Sequence, residues 1–414
     1  MKRVVTALLL GASLCGTAIG QVEPPKGQPS RGGSAGVGIG IQVDLRSLVS
    51  GVAALFGRAT SDTVSNVVAG QVVAVWAEDE VALAPEEVAR AMQARVLADH
   101  PLSSLGLRLV LFAVDEEDAD KLLAQARQSF PQISFARNRY VDTLQTEHTA
   151  ASPGAAGRQY AHELVRATAV QRLPQPVRIG VIDGAPDANA PLDAASFDLQ
   201  RFTDTGQSPH ASAIACELAC RPETGFPGLA RGAELVWAAI LSPHQNGHER
   251  SDLVTLARAL DGLVKRRAEV ILTSLGTPPN PVLTRVLDRV LPKVRAFVAA
   301  AGNGGPNGAV PLPAAHPGVI AVAAVDAAAQ PWPQGSRGQA ILVAAPGVDL
   351  WLPVGGGRYF TGTSYAAPFA AAWIAQRLAR GQPADAAALC ATAQDLPPAG
   401  CDDATGCGLL RWSP

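Results

Sequence analysis

The sequence has no surplus of positive charge: 34 Lys and Arg stand against 36 Asp and Glu, a net charge of -2 over 414 residues. A generic nucleic-acid binder carries a basic excess, so that class is excluded. Lysine is scarce, with 5 of the 34 basic residues against 29 arginines, a bias without chemical content. Charged residues make up only 17% and hydrophobic ones 48%, which excludes a mainly disordered chain. There is no Cys-x-x-Cys and no paired-histidine motif, so zinc has no support. Asp187, Asp193, Asp198 and Asp204 lack the spacing of a calcium loop. No metal and no other cofactor is expected. After residue 20 no comparable apolar run is free of charge or proline, so no later segment reads as a membrane span.

What is present begins with an address. Lys2 and Arg3 precede an apolar stretch over 4–20 that ends in small residues, with Ala18 and Gly20 before Gln21. This describes a secretory signal peptide over 1–20, with an uncleaved anchor as the alternative. The expected location is secreted or periplasmic, with no membrane attachment after cleavage. Beyond Cys15 five cysteines remain: Cys216, Cys220, Cys390, Cys401 and Cys407. An oxidising compartment suits a Cys401–Cys407 or Cys390–Cys401 bridge. Cys216 and Cys220, four apart on an expected helix, read as small buried residues in preference to a bridge.

The length allows two or three domains at roughly 100–200 residues each. Residues 21–66 form a Pro-, Gly- and Ser-rich linker with one candidate helix near 45–56. Over 67–142 a strand at 71–76, a helix at 85–96, a strand at 107–114, a helix from Asp115 to about 130 and a short strand at 133–135 give a small α+β domain. A second linker covers 143–157. The remainder, 158–414, alternates buried strands (178–182, 234–240, 270–274, 296–301, 319–325, 341–345) with helices such as 251–267 and 281–291. That is an α/β pattern with a mainly parallel sheet, whose sites gather at the carboxyl ends of the strands.

Four residues fall at such places. Asp183 closes the first strand before a Gly turn, where alone it would read as a turn cap. His210 opens a helix of small residues, where alone it would read as a surface cap. Ser364 lies in Gly362-Thr363-Ser364-Tyr365-Ala366-Ala367-Pro368, at the positive end of an Ala-rich helix where amides can stabilise negative charge. Asn303 follows a buried strand into a Gly-rich loop, where a side-chain amide can donate to an oxyanion or simply make a left-handed turn. His244 and His248, in a Pro- and Gly-punctuated loop, read as solvated surface, and His162 and His148 have no partner motif.

The order Asp183, His210, Asn303, Ser364 and the Gly-Thr-Ser-Tyr-Ala-Ala-Pro segment resemble the subtilisin-like serine peptidases, over about 160–411. Gly228–Ala233, Ser274-Leu275-Gly276, 317–322 and 345–348 are similar to further stretches of that family. Tyr365 stands where Met is usual, Gly184-Ala185 follow the Asp, and Ala211-Ser212 follow the His in place of Gly-Thr. The resemblance implies a three-layer α/β subtilisin-like fold and a secreted serine endopeptidase with Asp183, His210 and Ser364 as its triad and Asn303 at its oxyanion site. It implies that Ser274, Leu275 and Gly276 pair with an extended peptide or protein substrate, while Ala300, Ala301 and Gly302 line the main specificity pocket. The small domain then resembles a ferredoxin-like propeptide acting in cis, with processing expected somewhere in 141–157. A pseudo-peptidase that binds without turnover is the main alternative, and an inhibitor acting in trans through 67–141 is a third reading. An α/β-hydrolase is disfavoured because the His precedes the Ser.

Overall fold

The computed structural model describes residues 66–80, 82–144, 149–150, 160–244 and 249–412. The expected signal peptide, nearly all of the linker 21–66 with its helix near 45–56, most of the linker 143–157, His148 and His248 lie outside them. No helix among the described residues is long and apolar enough to cross a membrane.

The first elements are β1 (Val67–Ala77), α1 (Pro85–Ala91), β2 (Arg95–Leu102), β3 (Leu107–Ala113), α2 (Ala119–Ser129) and β4 (Ser134–Thr143). They form an antiparallel sheet in the order β2-β3-β1-β4, the arrangement of a ferredoxin-like unit. Two expectations are corrected. The helix stops at Ala91 instead of 96, because Gln93 takes a positive φ of 50° and the chain turns into β2, an extra edge strand whose faces alternate only weakly in burial. The short strand expected at 133–135 runs on to Thr143, because its polar second half finds pairing partners on both sides.

β1 shows why its run Val-Val-Ala-Val-Trp-Ala lacks polar alternation. Val72, Ala74 and Trp76 bury against Val88 of α1, Met92 just beyond it and Leu123 of α2. Val73, Val75 and Ala77 join the core of the following region. A sheet covered on both faces reads as a continuous apolar run.

That following region is built on β5 (Arg178–Asp183), β6 (Ser196–Arg201), β7 (Glu234–Ala239), β8 (Glu249–Asp252), β9 (Val270–Thr273), β10 (Leu275–Gly276), β11 (Ala296–Ala300), β12 (Ile320–Val325) and β13 (Ile341–Pro346). Seven of these make one parallel sheet in the order β13-β12-β11-β9-β5-β7-β6. The helices α3 (Pro209–Ala219), α4 (Leu253–Lys265), α5 (Pro281–Val290) and α6 (Thr363–Leu378) flank it, α3 paired with α6 and α4 with α5. Asn280 caps α5 through Val282 and Leu283 amides at 3.0 and 3.2 Å, and Asp252 caps α4 through the Thr255 amide at 2.9 Å, the usual satisfaction of orphan donors at a helix start. The apolar stripe Val282, Leu283, Val286, Leu287 and Val290 is buried. The α/β fold with a parallel central sheet is therefore as expected.

β8 and β10 stand outside the parallel sheet and hold β4 between them. Tyr140, Val141 and Asp142 pair antiparallel with Asp252, Ser251 and Arg250, and Asp142 and Thr143 pair with Gly276 and Leu275.

The cysteines depart from expectation. Cys216 is bridged to Cys220, whose extended backbone ends α3 and brings the two Cα atoms to 4.3 Å. Cys390 is bridged to Cys407, leaving Cys401 free with its sulfur 3.6 Å from that of Cys407. The chain after residue 405 runs back beside β13, with the Cys407 amide on the Leu342 carbonyl at 2.8 Å, and this carries Cys407 to Cys390.

Candidate active site

The carboxyl end of β5 places Asp183, fully buried, against the first turn of α3. Its Oδ1 accepts from the Gly184 amide at 2.7 Å and lies 2.9 Å from Nδ1 of His210. Gly184 is required there: a Cβ on it would lie 2.6 Å from Cβ of Ser208, so the turn after Asp183 and the cap of α3 can touch only without a side chain. Ser208 caps α3 through the Ala211 amide at 3.2 Å and donates its own hydroxyl to Glu249 at 2.5 Å. Burial, aided by the nearby Asp183 charge, raises the Glu249 carboxyl above the usual carboxylate range.

α3 and α6 are built from small residues, and α6 is buried from Thr363 through Gln376. This lets His210 and Ser364 begin two helices that pack against each other. Nε2 of His210 is buried and carries no hydrogen bond among the described residues. The Ser364 hydroxyl donates to the Leu144 carbonyl, with the Ser274 carbonyl 3.3 Å away. The Tyr365 ring lies 5.4 Å from that of His210.

Asn303 follows β11 and is fixed by Thr363. Its Oδ1 accepts from the Thr363 amide at 3.1 Å and hydroxyl at 2.8 Å, and Thr363 Oγ1 accepts from the Gly302 amide at 3.0 Å. With its oxygen occupied, the buried Nδ2 is left without a partner among the described residues. Such a fixed, unpaired donor suits a charge that develops only during a reaction.

The end of β4 lies in this site as an extended peptide. The Leu144 amide donates to the Ser274 carbonyl at 3.1 Å, Leu275 and Gly276 pair with Thr143 and Asp142, and the Thr277 hydroxyl donates to the Tyr140 carbonyl at 3.0 Å. The Leu144 side chain covers Gly276, where a Cβ would meet it at 3.0 Å. Pro311 lies against both Gly276 and Gly302, 2.9 and 2.7 Å from the Cβ each would carry, while Ala300 and Ala301 are fully buried behind. The tail is held from both sides, by 250–252 and by 274–277.

Sequence reading passed over Ser208, Glu249, Arg250 and the anchoring role of Thr363. His162, for which the sequence offered no partner motif, is buried, with Nε2 2.9 Å from the Pro227 carbonyl and its ring edge-on to Phe226 at 4.5 Å. His244 is exposed.

Comparison with known proteins places the chain in a family. Residues 177–408 match the model of the subtilase family. Subtilisin E of Bacillus subtilis is 30% identical over 209 residues, covering 47% of this chain and 53% of that protein. The subtilisin of Bacillus pumilus is 30% identical over the same length and is covered to 74%. The chain thus spans about half the length of Subtilisin E. Fervidolysin from Fervidobacterium pennivorans, a keratinolytic enzyme related to subtilisin, shares the fold with a TM-score of 0.66 at 19% identity, covering 84% of this chain and 60% of that one. A mutant of the protease domain of PatA has a TM-score of 0.50 at 26% identity, covering 58% of this chain and 94% of that one. The family match takes in more than half of the sequence, including Asp183, His210, Asn303 and Ser364, and the chain belongs to the subtilase family.

Proposed function

We propose that this chain is a secreted or periplasmic serine endopeptidase that hydrolyses peptide bonds through Asp183, His210 and Ser364, and that it first cuts itself after Leu144. The observation that carries the reading is the Leu144 carbonyl lying on the Ser364 hydroxyl, in a peptide strand already paired with 274–276. Ser364 Oγ attacks that carbonyl carbon while Nε2 of His210 takes its proton. Asp183 holds the imidazole through Nδ1 and stabilises its charged form. The oxyanion is received by Nδ2 of Asn303. The proton then passes to the leaving amine, the C–N bond breaks, and water cleaves the acyl-enzyme by the same route, releasing the acid and restoring Ser364.

In this reading 67–142 is a propeptide-like domain, 143–157 contains the processing site, and 158–414 is the catalytic domain. The scissile bond is Leu144–Gln145. The pocket formed over Gly276, with Pro311 and Gly302 beside it, takes a medium apolar side chain such as leucine. The relatives include a protease named extracellular, which supports export together with the character of residues 1–20.

Purified wild type is expected to yield a new N-terminus at Gln145, to cleave peptides ending their acyl part in leucine and to react with an active-site serine reagent. Ser364→Ala is expected to do none of these. Asn303→Ala is expected to lose about 10²–10³ in kcat. Identical behaviour of wild type and Ser364→Ala would refute the proposal.

A further inference from the structure

We propose that Arg250 makes the cleft selective for an acidic side chain three residues into the acyl side of the scissile bond, counting Leu144 as the first, with an aromatic ring two residues farther back. The inference rests on the proposed function and deepens it by naming a substrate class. Residues 140–144 occupy the cleft as a bound peptide, so their contacts report what its walls recognise. Arg250 lies directly opposite Asp142 in the β8–β4 ladder. Its Nε and Nη2 approach the same Asp142 Oδ1 at 3.0 and 2.9 Å. The guanidinium also sits 4.3 Å over the Tyr140 ring, a cation–π distance.

Three further facts make this more than a rim contact. The Arg250 side chain is only 15% exposed, and its Nη1 is buried with no partner among the described residues. The neighbouring carboxylate, Glu249, accepts from Ser208, and the next, Asp252, caps α4. The carboxylate that meets Arg250 in the cleft is therefore brought by the peptide. Once the tail is removed, the positive charge of Arg250 is left without its carboxylate beside an open strand site. A peptide with Asp or Glu at that position restores the pair, one with Lys or Arg meets like charge, and one with Ala leaves the guanidinium unpaired. The favoured segment is aromatic-x-acid-x-leucine.

The test uses self-processed enzyme and peptides that carry Tyr-Val-Asp-Thr-Leu, with Asp, Ala or Lys in the third place and identical residues after the leucine. The expected order of kcat/KM is Asp over Ala over Lys, with Asp roughly three- to tenfold above Ala and the difference shrinking at high salt. Arg250→Glu should reverse the order of Asp and Lys. In the full chain, Asp142→Lys and Arg250→Glu should each slow the cut after Leu144, and together restore it. Equal kcat/KM for the three peptides in wild type overturns the inference even if the variants do not fold. An unreversed order in a folded Arg250→Glu overturns it too. A chain that cuts no peptide and takes no serine reagent instead overturns the proposed function on which the inference stands.

Discussion

His162 sits between Phe226 and Phe369, bonded through Nε2 to the Pro227 carbonyl, with Nδ1 buried and unpartnered. Burial pushes its pKa down to about 4 from 6.5, so the folded chain holds it neutral where the unfolded chain would protonate it. Its contribution to stability is complete above pH 6.5 and is lost as pH falls toward 4, by roughly 3 kcal/mol in all. The melting temperature of Ser364→Ala should therefore drop across that window, and adding His162→Gln should flatten the drop; an unchanged acid profile would contradict the assignment. The same residue marks how far side chains can be read without a structure. Asp183, His210, Ser364 and Asn303 stood out together, through their order and the Gly-Thr-Ser-Tyr-Ala-Ala-Pro run, although Asp183 and His210 taken singly read as caps. His162 and Arg250 did not, because their meaning lies in partners distant in the chain: Asp142 is 108 residues from Arg250.

Among the elements, α3 depends on the turn before it. Replacing Gly184 by Ala would put a methyl 2.6 Å from Cβ of Ser208, and either the Asp183 turn or the cap of α3 must move. The expected cost is about 1–3 kcal/mol in stability. kcat should also fall, because Asp183 and His210 ride on the two parts forced apart. Denaturation midpoints and kcat of Gly184→Ala measured side by side check this, and a fully stable, fully active variant would count against so tight a junction. Buried parallel strands and the amphipathic α5 were legible because apolar runs and 3.6-residue periodicity are local signals. β2 and the far half of β4 were not. A strand such as Ala-Arg-Asn-Arg-Tyr-Val-Asp is held by ladders on two edges, and its sequence carries no trace of neighbours from 249–252 and 275–276.

Across the whole molecule, the N-terminal sheet is fastened by more than the strand in the cleft. One face of β1 is part of the common core. Asp261 accepts from the Ser104 and Leu105 amides at 2.8 and 3.2 Å. Arg285 and Arg289 grip Glu80 at 2.7 and 2.8 Å. The proposed cut after Leu144 would break none of these. The severed segment should stay bound, and peptide hydrolysis should rise only after a lag; Glu80→Arg should shorten that lag, as progress curves would record. A lag unaffected by Glu80→Arg would mean that these ion pairs contribute nothing to retention.

The place taken by β4 between β8 and β10 also sets a requirement on anything that follows it there. Two strand edges, each about 4.8 Å from the strand between them, leave a gap one backbone wide. A helix, or a segment still paired within its own sheet, cannot enter; a guest must first surrender about five consecutive residues as bare, fully drawn-out chain. For a folded guest that step has an opening free energy of its own. For the proposed endopeptidase, which proteins are consumed, and how fast, is then governed as much by where the guest loosens as by the side chains it displays.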